Sequence, residues 1–305
     1  MNNQKLIIMT MNDKISDYIT FPRTFENYRW YKPILVFILS LIILSILMVA
    51  IVAVFYLTAG LEFVKSVFSG GYEALTSPMA ILFTDLLIII FIPSLYIASK
   101  IVNDRPFSSY SSSRGGWNFK LFFKALVIPV ILYIIFMAID TAIRGPEGTY
   151  SFSLAFLLVI LISVPLQSIA EEYVFRGFFM QTLGSWFRIP VLVLVLQAII
   201  FALGHGYNSI GIFETFVSGI GFGFFAWKTN GIEVSSALHV ANNFAVGLFV
   251  MLGLQASNST PQLWDVATSI VFLIILYVIM YYVGKKTDWF GEIPENAQNE
   301  GLFNL

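Results

Sequence analysis

Long apolar runs separated by short polar stretches fill the chain from residue 33 onward. A helix needs about 20 mostly apolar residues to cross the hydrocarbon core of a bilayer. The runs predict about eight transmembrane helices, at 33–58, 78–101, 119–142, 151–184, 190–205, 211–227, 232–252 and 264–284. Because apolar and polar residues do not alternate within the runs, they exclude a membrane β-barrel and favour an all-α, polytopic bundle.

These runs divide the chain into five parts. They are a cytoplasmic N-terminal segment 1–32, three membrane helices within 33–150, a core 151–252, a final membrane helix within 253–286 and a disordered tail 287–305. Between the second and third runs, the polar loop 102–118 is predicted to be a cytoplasmic connection lying on the membrane surface.

Composition supports the membrane assignment. Apolar residues make up 58% of the chain and charged residues 11%, against roughly a quarter charged in ordinary soluble domains. The absence of cysteine excludes disulfide frameworks and cysteine-based zinc or redox sites. With a net charge of −1, the chain has no long-range field that would attract nucleic acid. The lipid bilayer is therefore its expected surrounding, and no nucleic-acid partner is expected.

The distribution of lysine and arginine predicts the orientation in the membrane. If the N-terminal segment is cytoplasmic, all 17 of these residues lie in inward-facing segments except Lys65, Arg144 and Arg176. This asymmetry follows the positive-inside rule. We therefore expect a multi-pass protein of the cell membrane with both termini in the cytoplasm.

Ionisable residues inside a membrane span are costly and indicate function by default. In this chain they concentrate in the core 151–252, which also contains both of its histidines. The candidates are Glu171, Glu172 and Arg176 in the fourth run, His205 at the end of the fifth, and His239 and Asn243 in the seventh. The helical spacing pairs Glu172 with Arg176 and directs Glu171 about 100° away.

Counting along the fourth and fifth runs predicts which side chains meet. Their connecting turn centres near 187–188, so Glu171 lies about as many residues before the turn as His205 lies after it. In an antiparallel hairpin the two should lie at similar depth. The same counting does not place His239 at that level, because it lies only about seven residues into its run.

These side chains suit hydrolysis. A carboxylate can take a proton from water, an imidazole can hold that water or protonate the leaving amine, and a histidine with an amide can stabilise an oxyanion. Alternatively, Glu171, His205 and His239 could bind zinc and leave one position for water. The sequence contains no motif typical of serine, aspartyl or thiol proteases of the membrane.

Simpler structural interpretations exist for several of these features. The pair Glu172–Arg176 is also explained as a stabilising buried ion pair, and the isolated acids Asp85 and Glu214 as structural or cavity-lining groups. Gly219 and Gly223 indicate close helix packing rather than a phosphate-binding loop, because no strand precedes them.

Three motifs in order resemble the CPBP family of CAAX proteases and bacteriocin-processing enzymes, also called Abi. The family patterns E-E-x-x-x-R, F-x-x-x-H and H-x-x-x-N are matched in the same order, within roughly residues 150–250. The matching residues are Glu171, Glu172 and Arg176, then Phe201 and His205, then His239 and Asn243.

The resemblance implies a CAAX-protease-like helical bundle that acts as an intramembrane endopeptidase. Carried over, Glu171 would activate water with His205, and His239 and Asn243 would form the oxyanion hole. Glu172 and Arg176 would support this catalytic set. We expect no cofactor, with zinc as the alternative, and a membrane-anchored or membrane-inserted peptide as substrate.

Other functions fit the same resemblance. The Phe- and Ile-rich, cysteine-free composition is typical of a low-GC Gram-positive bacterium, and bacterial relatives process peptides or confer immunity to bacteriocins. The main alternative is therefore a non-enzymatic immunity or scaffold protein on the same fold. A solute transporter ranks last, because the chain shows no repeat symmetry.

Overall fold

The computed structural model describes residues 18–70, 77–256 and 262–290, and within them it is all-helical. Apart from two single turns, Phe21–Thr24 and Ser108–Ser111, the helices are α1 Lys32–Ala59, α2 Leu61–Gly70, α3 Pro78–Ile89, α4 Phe91–Val102, α5 Phe119–Arg144, α6 Leu154–Glu172, α7 Gln181–Phe187, α8 Pro190–Leu203, α9 Ser209–Lys228, α10 Glu233–Met251 and α11 Leu263–Lys286. A π-helical segment, Tyr173–Met180, joins α6 to α7 without a break. The central helix is α10, which packs against α5, α6 and α9.

The predicted membrane bundle is confirmed, with one difference in the number of spans. Within the described residues, seven helical stretches are long and apolar enough to cross a membrane, counting α3 with α4 and α6 through α7 as continuous stretches. The fifth predicted span is α8, whose 14 residues extend about 21 Å, less than the roughly 30 Å hydrocarbon core. Pro190 begins this helix and Gly204 follows it, so both ends are fixed by residues that favour helix termini.

The loop between α4 and α5 packs into the protein, a feature that the prediction of a cytoplasmic connection at 102–118 does not include. Arg105 contacts the Gln181 side chain, and its guanidinium carbon lies 3.7 Å from the centre of the Tyr110 ring. The Tyr110 hydroxyl donates to Asp104 Oδ2 at 2.9 Å. Burial raises the pKa of Asp104, and Arg105 and the Tyr110 hydroxyl oppose that shift. The polar groups of this loop are therefore satisfied within the protein.

Both predicted terminal segments contribute described residues to the folded protein. Residues 1–17 of the N-terminal segment and 291–305 of the predicted tail lie outside the described residues. Tyr18 and Ile19 are buried, and the Tyr18 hydroxyl donates to the Tyr110 carbonyl at 3.0 Å. At the other end, Trp289 is buried in the main apolar core, so the prediction of a disordered tail from residue 287 is wrong for its first residues.

Close backbone packing holds the N-terminal segment against α7. A Cβ atom added at Gly184 would overlap the backbone carbonyl group of Ile19. A clash with backbone cannot be relieved by turning a side chain. Glycine at 184 is therefore needed for this contact.

Gly184→Ala is expected to destabilise the protein by about 1–3 kcal/mol, because the new methyl group forces the two backbones apart. Thermal unfolding of the purified protein in detergent measures the effect as a fall in Tm. The matched control is Gly204→Ala, where the nearest atom would lie 3.4 Å from the new Cβ. Equal Tm values for the two variants would contradict the docking of Ile19 on α7.

Candidate active site

The predicted candidates meet where α6, the turn after α8 and α10 come together. Glu171 Oε2 lies 3.8 Å from His205 Nε2 and 3.6 Å from His239 Nε2. The predicted approach of Glu171 to His205 is thus present in the structure, and His239 joins them. Glu171 is 8% exposed, and its Oε2 accepts no hydrogen bond from the described residues.

His205 is oriented by the helix that precedes it. Its Nδ1 lies 2.8 Å from the Phe201 carbonyl oxygen, which can only accept, so Nδ1 carries the hydrogen. In the neutral ring the lone pair is then on Nε2, the nitrogen that faces Glu171. The ring also makes an edge contact with Phe201, at 4.5 Å between centres, and stacks on Tyr207. Since α8 ends at Leu203, His205 lies in the turn just beyond the helix rather than in its last turn.

His239 is held between aromatic rings and a carboxylate. The Phe222 ring stacks on it with centres 5.1 Å apart, and the Phe201 ring meets it edge-on. Its Nδ1 lies 2.9 Å from Glu172 Oε1, so this nitrogen donates and Nε2 is directed towards Glu171. Both histidines therefore present the same ring nitrogen to the same carboxylate oxygen.

The predicted ion pair lies directly behind His239. Arg176 Nη1 donates to Glu172 Oε1 at 2.8 Å, and both side chains are fully buried. The guanidinium carbon lies 4.2 Å above the Phe201 ring centre, and Nη2 reaches the Gly219 carbonyl at 3.4 Å. Because Glu172 Oε1 accepts from both Arg176 and His239, the pair stabilises the core and orients a candidate catalytic ring.

Asn243 is linked to Glu171 by the side chain of Gln167, a residue that the sequence analysis does not single out. Asn243 Nδ2 donates to Gln167 Oε1 and to Ser168 Oγ, each at 3.1 Å. Gln167 Nε2 in turn donates to Glu171 Oε1 at 2.7 Å. The available signal was the spacing, since Gln167 is a polar residue in an apolar run, four positions before Glu171 on the same face of α6.

The comparisons with known proteins fall on this same part of the chain. Residues 153–245 match the family model described as type II CAAX prenyl endopeptidase Rce1-like. We refer to residues 153–245 as the Rce1-like domain, after the family that this part of the chain resembles. The resemblance given by the three motifs is thereby confirmed, because this domain holds every candidate residue from Glu171 to Asn243.

A curated relative also matches beyond the Rce1-like domain. The uncharacterized protein YyaK of Bacillus subtilis is 27% identical over 205 residues, covering 63% of this chain and 69% of its own length. Its name assigns no activity. No solved structure matches the chain at a significant level.

The position of His239 in the Rce1-like domain follows from the buried start of α10. Glu233, Val234 and Ser235 are almost fully buried, and the Asn118 backbone N–H donates to Glu233 Oε1 at 2.9 Å. The helix thus begins inside the protein, beneath the polar loop after α4. A residue two turns into α10 is deep for this reason, whereas counting from a membrane surface places it too shallow.

The isolated acids and glycines have structural contacts. Asp85 accepts from Ser163 Oγ at 2.6 Å and so links α3 to α6, and Glu214 bonds Ser269 and links α9 to α11. At Gly219, an added Cβ would lie 3.1 Å from Ala198, which agrees with the predicted close helix packing.

The zinc alternative has no preformed site in the described part of the chain. Among those residues, no group of three or more His, Asp or Glu side chains is arranged to hold a metal ion. Glu171, His205 and His239 converge, and the Nδ1 contacts to Phe201 and Glu172 orient both rings as they would also be oriented in a zinc ligand that binds through Nε2.

Proposed function

We propose that this protein is a CAAX-protease-type intramembrane endopeptidase that hydrolyses a peptide bond in membrane-anchored or membrane-inserted peptides. The observation that carries the proposal is the meeting of Glu171 Oε2 with the Nε2 atoms of His205 and His239, at 3.8 and 3.6 Å. A carboxylate flanked by two oriented imidazoles in a largely buried site is suited to activating water. The match to a family of prenyl endopeptidases supports the same reaction class.

Glu171 is the proposed general base. Its Oε2 accepts a proton from a water molecule while the water oxygen attacks the peptide carbonyl carbon. The lone pair on His205 Nε2 accepts a hydrogen bond from the second O–H of that water, which stays on the attacking oxygen, since Phe201 fixes the ring with its own hydrogen on Nδ1. When the C–N bond breaks, the proton held by Glu171 passes to the leaving amine.

His239 and Asn243 are the proposed donors to the oxyanion. For this role His239 must donate from Nε2, while its Nδ1 donates to the Glu172 carboxylate. Asn243 must turn one Nδ2 hydrogen from Gln167 or Ser168 towards the oxyanion. Donors directed at the oxyanion stabilise charge that develops only in the transition state.

The mechanism needs no metal, so cleavage is expected to resist chelators. The assay uses purified, detergent-solubilised protein with fluorogenic peptides in prenylated and unprenylated forms, each with and without a chelator. Comparing the two peptide forms shows whether lipidation is required of the substrate.

Two results would contradict parts of this proposal. If a chelator abolished cleavage and zinc restored it, the metal-free mechanism would be rejected, while the assignment as a peptidase would stand. If folded protein cleaved neither peptide, the non-enzymatic immunity or scaffold role on the same fold would be favoured instead.

A further inference from the structure

A directed chain of side-chain amides ends on Glu171. Asn242 Nδ2 donates to Asn243 Oδ1 at 2.9 Å, Asn243 Nδ2 donates to Gln167 Oε1 at 3.1 Å, and Gln167 Nε2 donates to Glu171 Oε1 at 2.7 Å. The chain crosses from α10 to α6 and reaches the carboxylate oxygen opposite the one that faces the histidines.

The direction of this chain is fixed by chemistry. An ionised carboxylate only accepts, so Gln167 must turn its NH₂ group to Glu171 and its oxygen to Asn243. Asn243 must then turn its NH₂ group to Gln167, which leaves its oxygen for the NH₂ group of Asn242. Reversing any one amide would bring two like groups together in a partly or fully buried setting, where an unsatisfied polar group is costly.

Gln167 is well placed to act on Glu171 rather than only to fill space. It is 7% exposed and is held at both ends, by Glu171 and by Asn243. The hydrogen bond to Oε1 restricts the orientation of the carboxylate, so that Oε2 stays between the two imidazoles. Hydrogen bonds aligned in one direction also polarise each other.

We propose that Gln167 is a positioning residue that holds Glu171 in its reactive orientation, and that Asn243 assists the reaction through Gln167 as well as at the oxyanion. This inference rests on the proposed peptidase function. A positioning role of this kind acts on the chemical step, because a small misplacement of the base lowers turnover without weakening substrate binding.

Gln167→Met tests the proposal, because methionine is of similar size but cannot donate to the carboxylate. We expect kcat to fall by about 10- to 100-fold with KM nearly unchanged. The matched control is Gln197→Met, since Gln197 is also buried and its described hydrogen bonds go to the Leu194 and Gly219 carbonyls, at 3.0 and 2.8 Å, rather than to a proposed catalytic side chain. A similar loss of kcat in both variants, or in neither, would overturn the proposal.

A double-mutant cycle tests the link to Asn243. If Asn243 acts partly through Gln167, the variant carrying both Gln167→Met and Asn243→Ala loses less activity than the product of the two single losses. Losses that multiply fully would show that the two side chains act independently and would refute the relay.

Two further variants keep the test decisive. Asn242→Ala removes only the far end of the chain and is expected to lower kcat by about 5-fold, the size of one neutral hydrogen bond. It decides the matter if Gln167→Met does not fold, and unchanged kcat would then reject the proposal. Glu171→Gln separates the two hypotheses: if it cleaves as well as the wild type, Glu171 is not the general base of the proposed mechanism, whereas an inactive Glu171→Gln beside a fully active Gln167→Met rejects the positioning role alone.

Discussion

Glu171→Gln is expected to lower kcat for peptide cleavage by about 10²- to 10⁴-fold while the protein still folds. Glutamine keeps the size and the hydrogen-bonding oxygen of the side chain but cannot take a proton from water. Its amide would also place a donor or acceptor between His205 and His239 without a negative charge. Loss of turnover with little change in KM would be typical of a group used in the chemical step.

The measurement is steady-state cleavage of a fluorogenic peptide by the purified variant, with Tm recorded on the same sample. Glu214→Gln is the matched control, because it makes the same acid-to-amide change at a position where the carboxylate bonds Ser269 on the neighbouring helix. We expect that control to cleave at close to the wild-type rate. Wild-type kcat in Glu171→Gln would remove Glu171 from the mechanism.

Helical geometry explains why part of this site could be predicted from the sequence. Glu171 and His205 flank one tight turn, so the rise per residue sets their relative depth, and their side chains lie 3.8 Å apart. The pairing of Glu172 with Arg176 follows in the same way from a spacing of four residues. Local periodicity is sufficient wherever both partners belong to one helix or one hairpin.

The features that sequence reasoning missed depend on tertiary packing. His239 is deep because α10 begins beneath the loop after α4, and hydropathy does not show that Asp104, Arg105 and Tyr110 satisfy one another in the interior. Similarly, Gln167 was identified only from its contacts with Glu171 and Asn243, since a single amide in an apolar run has many possible partners. From composition alone, polar residues at the ends of membrane spans are expected to face water. In this protein many of them contact other protein groups instead.

The length of α8 is a second feature that composition does not predict correctly. The apolar run 190–205 predicts a complete span, but the helix ends at Leu203 and His205 lies in the following turn. A turn gives the imidazole a backbone carbonyl, that of Phe201, as partner for Nδ1. The early end of α8 thus allows the orientation of the His205 ring to be fixed. Functional residues are often placed in this way, in loops just beyond helix ends.

Arg176→Met is expected to destabilise the protein by about 3–5 kcal/mol, because it leaves the Glu172 carboxylate buried without its cation. Arg176 and Glu172 are both fully buried, so water cannot replace the lost partner. Methionine approximates the volume of the arginine stem, which limits the contribution of a cavity. Thermal and denaturant unfolding in detergent would show the loss as a lower Tm and a lower unfolding midpoint.

The double variant Arg176→Met with Glu172→Gln separates charge from packing. Removing the uncompensated carboxylate should recover a large part of the lost stability, since replacing both members of a buried pair is often close to neutral. The amide oxygen introduced by Glu172→Gln can still accept from His239 Nδ1, but a neutral acceptor holds the ring less firmly than a carboxylate does, so turnover should stay low even where stability returns. If instead the double variant is no more stable than Arg176→Met, the arginine acts mainly through its contacts with Phe201 and the Gly219 carbonyl rather than as the counter-charge of Glu172.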